Sequence, residues 1–200
     1  MNIAVFDFDK TIYAGDSTVD FYFFCLSRNP SILRYVPLQC WHILRFKLGL
    51  ETRTAMKSAF LIFLKDIVHI EKYVTDFWLQ QESKIKPWYL EKAHGTHVII
   101  SASPQFLLKP VCDKLHAILI ATNVDAKTGR IVGANCYGGE KVVRLRKEIK
   151  DARVIAAYSD SRSDSPLLAL ADSAYAVKGH TILPWDEYWA LPRLRRMLLR

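Results

Sequence analysis

The sequence predicts an α/β fold: a Rossmann-like three-layer core on a parallel sheet, with a helical cap inserted after the first strand. Three observations carry this expectation. Short apolar runs such as "IAVF", "VIIS", "AILI" and "VIAA" alternate with stretches of helical period, the pattern of a parallel sheet covered on both faces. Acids and hydroxyls gather where those runs end, and open α/β sheets bind ligands at the carboxyl edge of their strands. Residues 16–94 separate the first run from the second, too long a span for one crossover helix.

Taken in order, strands are expected at 3–9, 98–103, 117–122, 153–158 and 174–178. Helical patterns occupy 104–115, 139–150 and 163–171. "NVDAKTGRIVGANC" reads as a hairpin excursion turning at "DAKTG". The core then comprises 1–15 and 95–200, and the cap 16–94, with three to five helices rich in aromatic residues. The alternative is that these helices pack on one face of the sheet.

The chain has 200 residues, half of them apolar, which suits one core with a large insertion. A net charge of +8 favours anionic partners. The Lys and Arg are spread out rather than arranged in a stripe with exposed aromatics, which argues against nucleic acid. Cys25, Cys40, Cys112 and Cys136 form no CxxC pair and read as free thiols of a reducing compartment. No signal peptide is expected ahead of the first strand. Arg28, Pro30, Arg34 and Pro37 interrupt the apolar region 19–50, leaving no run of about 18 apolar residues for a spanning helix. The reading is a cytoplasmic protein. The six histidines show no metal-ligand spacing and receive no role.

Asp7 and Asp9 close the first strand and would share one face if it persists through them. Neighbouring carboxylates repel unless a cation or a shared proton lies between them. Mg²⁺ suits a site of carboxylate, carbonyl and water oxygens, and a carboxylate can itself attack phosphorus. Ser101 offers a hydroxyl, and the amides leading from it through Ala102 into a helix suit phosphate. Lys141 opens the helix "EKVVRLRKEI" and can neutralise phosphoryl oxygens. Asp160 and Asp164 follow another apolar run and can add a metal ligand and an acid behind it. Each alone has a plainer reading: acids that cap helices, a strand-end serine, a solvated lysine. Four such features at four strand ends, in this order, make the catalytic reading the stronger one.

The pattern resembles the haloacid dehalogenase superfamily of phosphatases. "VFDFDKT", "ISAS", Lys141 in "GGEKVVRL" and "YSDSRSDSPLL" stand in the order of its four motifs. The position of the insertion is similar to the phosphoserine-phosphatase-like branch. The resemblance implies that Asp7 is the nucleophile and Asp9 the general acid and base. It implies that Thr11, Ser101 and Lys141 hold the phosphoryl group. Mg²⁺ is implied on Asp7, the Asp9 carbonyl and Asp160, with Asp164 behind the metal site. Dehalogenases of the superfamily do not need the acid supplied here by Asp9, and P-type ATPases need far longer chains. Walker A is absent.

Phosphoserine phosphatases carry a Glu that meets the substrate amine; Asp16 stands at the comparable place here. The expected substrate is a small phosphorylated metabolite. The aromatic cap, with Arg34, Arg45 and Arg53, also suits a lipid phosphate of the phosphatidylglycerophosphate type. The tail "WDEYWALPRLRRMLLR" offers a basic amphipathic surface for peripheral membrane contact. A phosphotransferase, or a non-catalytic binding protein on the same fold, are the competing readings.

Overall fold

The computed structural model describes residues 1–199. Six strands form one sheet: β1 Asn2–Phe6, β2 His97–Pro104, β3 Ile118–Thr122, β4 Arg153–Ser159, β5 Ala171–Lys178 and β6 Thr181–Pro184. Their order is β3-β2-β1-β4-β5-β6. All pairings are parallel except β5–β6. The sequence reading expects no sixth strand. "TILP" is four residues long and only half-buried, so it lacks the apolar signature of its neighbours.

β1 is buried on both faces, as a central parallel strand must be. Ile3 and Val5 join a core with Val98, Ile100, Ile120, Leu145 and Leu167. Ala4 and Phe6 join another with Ile99, Leu107 and Val111. The first core is closed by α7 Gly139–Glu148 and α8 Ser165–Leu168, the second in part by α6 Gln105–Lys114. This is the expected three-layer, mostly parallel α/β architecture.

The segment after β1 holds α1 Ser17–Arg28, α2 Val36–Lys47, α3 Arg53–Phe60, α4 Ile70–Gln81 and α5 Pro87–Lys92. 3-10 turns at Pro30–Tyr35, Leu61–Asp66 and Glu82–Lys84 link them. Its aromatic residues share the second core with the sheet. Phe6 meets Tyr89 edge-on at 5.0 Å, and Phe8 meets Trp78 at 5.9 Å. Phe77 packs on Phe21, Phe24 and Trp78. α1, α4 and α5 thus form a helical layer on one sheet face, while the inserted core residues of α2 and α3 are few: Gln39 is the one fully buried residue of the two.

Several bounds differ from expectation. β1 ends at Phe6 rather than at residue 9: the Asp7 amide still donates to the Tyr158 carbonyl, at 2.9 Å, but Lys10 at φ 61° turns the chain away. The expected helix 163–171 is a 3-10 turn, Arg162–Asp164, followed by the four residues of α8, because β5 starts at Ala171. The excursion at 123–136 pairs at one bridge only, Val124 with Ile131. The tail is divided by Pro192 into α9 Trp185–Ala190 and α10 Arg193–Leu198. Tyr188 is buried, Trp185 packs on the first core, and the guanidinium groups of Arg162 and Arg196 lie 5.4 and 4.9 Å from the centroid of the Trp189 ring. Arg200 lies outside the described residues. All four cysteines are free. Among the described residues no helix is long and apolar enough to cross a membrane.

The excursion is fitted to the insertion. Gly129 has φ 73°, and a Cβ there would sit 2.1 Å from the Leu61 carbonyl oxygen. The Ile131 amide donates to Ser58 Oγ of α3. Gly129→Ala adds both left-handed strain and a backbone clash, and should cost about 2–4 kcal/mol. Urea denaturation of the variant, with an unchanged m-value, checks this.

Candidate active site

The site is built on the carboxyl edge of β1, β2 and β4, where three strand ends and the start of α7 converge. Lys141, on the first turn of α7, is 2% exposed. Its ammonium donates to Asp7 Oδ1 at 2.7 Å and to Asp164 Oδ2 at 2.8 Å. Ser159, the last residue of β4, donates to the same Asp164 oxygen at 2.7 Å. Thr11 donates to Asp7 Oδ2 at 3.1 Å while its own oxygen accepts the Asp160 amide at 2.9 Å. One threonine therefore ties the first acidic loop to the last.

Asp9 is held separately. The Ser17 amide, at the start of α1, donates to Asp9 Oδ1 at 2.7 Å. The Ser103 hydroxyl donates to Asp9 Oδ2. Ser17 and Thr18 then donate to Ser103 Oγ, at 3.2 and 2.9 Å, since its one proton is committed. Ser101 is buried, and its hydroxyl oxygen accepts the Ser103 amide at 3.0 Å. Ala102 lines the cavity, and its carbonyl accepts from Thr122 at 2.6 Å and from Lys57. Asp16 lines it too, while its Oδ1 caps α1 by accepting the Val19 amide at 3.1 Å. Asp7, Asp9, Ser101, Ala102, Lys141, Asp16, Asp160 and Asp164 share this cavity of about 580 Å³, and Thr11 braces it from below.

Four lysine and serine contacts escape the sequence reading. Ser103 carries a usable signal, lying two residues from Ser101 on one strand. Lys178, at the end of β5, donates to the Asp160 carbonyl and lies 3.4 Å from its Oδ2. Lys86, buried before α5, donates to the Lys10 carbonyl at 2.7 Å and so stabilises the turn at positive φ. Lys57 reaches down from α3 to Ala102, and burial pushes its ammonium down to about 8 against the pull of Asp9 and Asp16. These three residues sit on a helix or at the end of a strand or start of a helix, where Lys is ordinary, and nothing in the sequence separates them from solvated lysines.

The four carboxylates Asp7, Asp9, Asp160 and Asp164 outnumber the two ammonium groups that contact them, Lys141 and Lys178. Burial pushes the Asp7 carboxyl up to about 7, and Asp164 and Asp160 add to this against the pull of Lys141. Burial likewise raises Asp9, helped by Asp16, against the hydrogen bonds from Ser103 and Ser17. Burial works against the Lys141 ammonium, but Asp7 and Asp164 outweigh it and hold it above its ordinary range. Asp7, Asp160 and Asp164 thus share Lys141 and Lys178, and Asp9 has only neutral donors. Among the described residues no three His, Cys, Asp or Glu side chains form a metal cage. Two carboxylates, Asp7 and Asp160, with main-chain oxygen and water, instead suit a hard divalent ion such as Mg²⁺.

A family model for haloacid dehalogenase-like hydrolases matches residues 4–169. The chain is similar to Protein CicA of Caulobacter vibrioides, with 31% identity over 90% of this chain and 86% of that protein. Its fold is similar to that of a protein of unknown function from Bordetella pertussis Tohama I, at 23% identity and a TM-score of 0.71, covering 88% of this chain and 89% of that one. It is also similar to a phosphoserine phosphatase captured as a phospho-aspartyl intermediate analogue, at 15% identity and a TM-score of 0.53, covering 87% and 85%.

The raised carboxyl of Asp7 sets a sign for stability. The folded, metal-free chain holds a proton that the unfolded chain releases near the ordinary 3.8, so the folded state binds more protons between 3.8 and about 7. Stability in EDTA should therefore fall as pH rises through that window. Asp7→Asn should flatten the slope, and Mg²⁺ should restore stability at its upper end. Urea midpoints across the range measure all three.

Proposed function

The chain belongs to the haloacid dehalogenase-like hydrolase family, and on that premise we propose that it is a Mg²⁺-dependent phosphomonoester hydrolase acting through an aspartyl-phosphate on a small phosphorylated metabolite. One observation carries the reading. Asp7 and Asp9 meet one cavity in different settings, the first bridged by a buried lysine, the second held by a hydroxyl and an amide.

Asp7 presents a carboxylate oxygen to phosphorus. As its bond to phosphorus forms, the bond from phosphorus to the ester oxygen breaks, and Asp9 gives its proton to that oxygen. The raised carboxyl of Asp9 supports its role as a proton donor. Asp9, now a carboxylate, takes a proton from water as the water oxygen attacks phosphorus and frees Asp7 and inorganic phosphate. Lys141 stabilises charge on the transferring oxygens and on Asp7. Ser101, Ala102 and Thr11 line or brace the phosphoryl position. Asp7, the Asp9 carbonyl and Asp160 would hold Mg²⁺, which would supply positive charge for the phosphoryl oxygens and keep Asp7 ionised. Asp164 and Lys178 orient Lys141 and Asp160.

A second reading, a lipid-phosphate phosphatase of the phosphatidylglycerophosphate type, is favoured by the cavity roof. Val19, Ile43, Phe46, Met56 and Phe60 line it, with Lys47 and Arg53 among them. Among the described residues Arg53 has no acidic partner and stacks on Tyr137 at 4.2 Å, leaving its charge for an anion. Arg34 and Arg45, by contrast, are paired with Asp66 and Glu51.

Asp7→Asn should reduce hydrolysis of an aryl phosphate to background, and wild-type turnover in that variant would overturn the reading. Asp9→Asn should lower kcat by about 10²–10⁴. EDTA should silence the enzyme and Mg²⁺ restore it. Acid quenching during turnover of ³²P-labelled substrate should trap label on the wild type and none on Asp7→Asn. A panel of phosphoserine, sugar phosphates, nucleotides and phosphatidylglycerophosphate ranks the substrates.

A further inference from the structure

α2 is apolar on two sides. Its inward side supplies Gln39 to the interior and Ile43 and Phe46 to the cavity wall. Its outward side carries Leu38, Trp41 and Leu44, followed directly by Leu48, which are 39%, 54%, 48% and 62% exposed. The spacing of three, three and four keeps them on one helical face. Leu50, in the following turn, is 64% exposed. A contiguous exposed stripe of this kind on a globular chain marks a surface that meets something apolar.

The charges around the stripe say what that is. Of the cations between residues 33 and 57, Arg34 is paired with Asp66 and Arg53 and Lys57 turn to the cavity, which leaves Arg45 and Lys47 of α2 beside the stripe, with Glu51 as the one acid of that span. Glu51 is already engaged by His42 at 2.7 Å and Arg45 at 3.7 Å. Arg45 lies beside the Trp41 ring, 6.0 Å from its centroid, and Lys47 is exposed at the helix end. A second copy docked on this face would set Arg45 and Lys47 against their own kind. Leu and Trp flanked by Arg and Lys, in contrast, fit the boundary between acyl chains and anionic headgroups. The other side of the same helix lines the cavity through Ile43 and Phe46, so the helix that carries the stripe also borders the site.

We propose that the outward face of α2 docks the protein on an anionic phospholipid bilayer through Leu38, Trp41, Leu44 and Leu48, with Arg45 and Lys47 at the headgroups. The proposal stands apart from the phosphatase reading, since it concerns a surface outside the reacting groups.

The test is co-sedimentation of the full chain with vesicles of phosphatidylcholine alone or mixed with phosphatidylglycerol. The wild type should pellet with the mixed vesicles and not with the neutral ones, and less so as salt rises. Trp41→Glu/Leu44→Glu should weaken binding at least about tenfold while leaving turnover of a soluble aryl phosphate within twofold. Trp41 is the one exposed tryptophan of the five. Mixed vesicles should therefore shift wild-type indole emission to the blue and shield it from acrylamide, a readout that needs no variant. Wild type left in the supernatant with unshifted emission, equal binding to neutral vesicles, or a solution dimer dissolved by the double substitution would each overturn the proposal. Vesicle binding without phosphatase activity would overturn only the enzymatic reading.

Discussion

A buried ammonium group between two carboxylates organises this molecule. Lys141 links Asp7, at the end of β1, to Asp164, after β4, and it does so where water cannot screen the pair. A buried charge is tolerated only when it is paired and hydrogen-bonded. The surrounding contacts follow from that requirement. Ser159 satisfies Asp164, Thr11 satisfies Asp7, and Thr11 in turn fixes the Asp160 amide. The strand order then becomes a functional matter, because β1 must lie between β2 and β4 for these groups to meet. The carboxylates outnumber Lys141 and Lys178, and the Asp7 carboxyl is accordingly raised.

The insertion solves a second problem. A sheet with helices on both faces needs apolar cover for the face that holds Phe6 and Ile99, and α6 alone is too small for it. Phe21, Phe24, Phe77, Trp78 and Tyr89 provide that cover in a continuous aromatic network. α2 and α3 are released from this duty and are placed over the cavity. One segment therefore has two roles, with packing in α1, α4 and α5 and the lining of the cavity in α2 and α3.

The parts of the fold readable from sequence were those with a period or an apolar run. β2, β3 and β4 were legible because a doubly covered strand must be continuously apolar. β6 was not, since an edge strand of three half-buried residues and an exposed proline resembles a loop. The acids and Lys141 were legible because their types and order carry the chemistry. Ser103 acts on Asp9 across 94 residues of chain, and Lys57 acts on Ala102 across 45. Such pairs depend on how β2 and α3 come to rest beside the loop after β1 and each other, which no local pattern encodes. Asp16 shows the converse case: a residue at a suggestive position that also caps a helix.

The seam between α3 and the excursion at 123–136 bears on how such a protein can be rebuilt. Leu61 approaches Gly129 so closely that no side chain fits, Ser58 receives the Ile131 amide, and Arg53 stacks on Tyr137. Each contact joins the inserted helices to a stretch of core more than sixty residues away. The insertion is therefore not a detachable module. Grafting helices from a relative onto this sheet would transfer half of a matched pair, and a chimera that keeps its aperture must carry the excursion along with them.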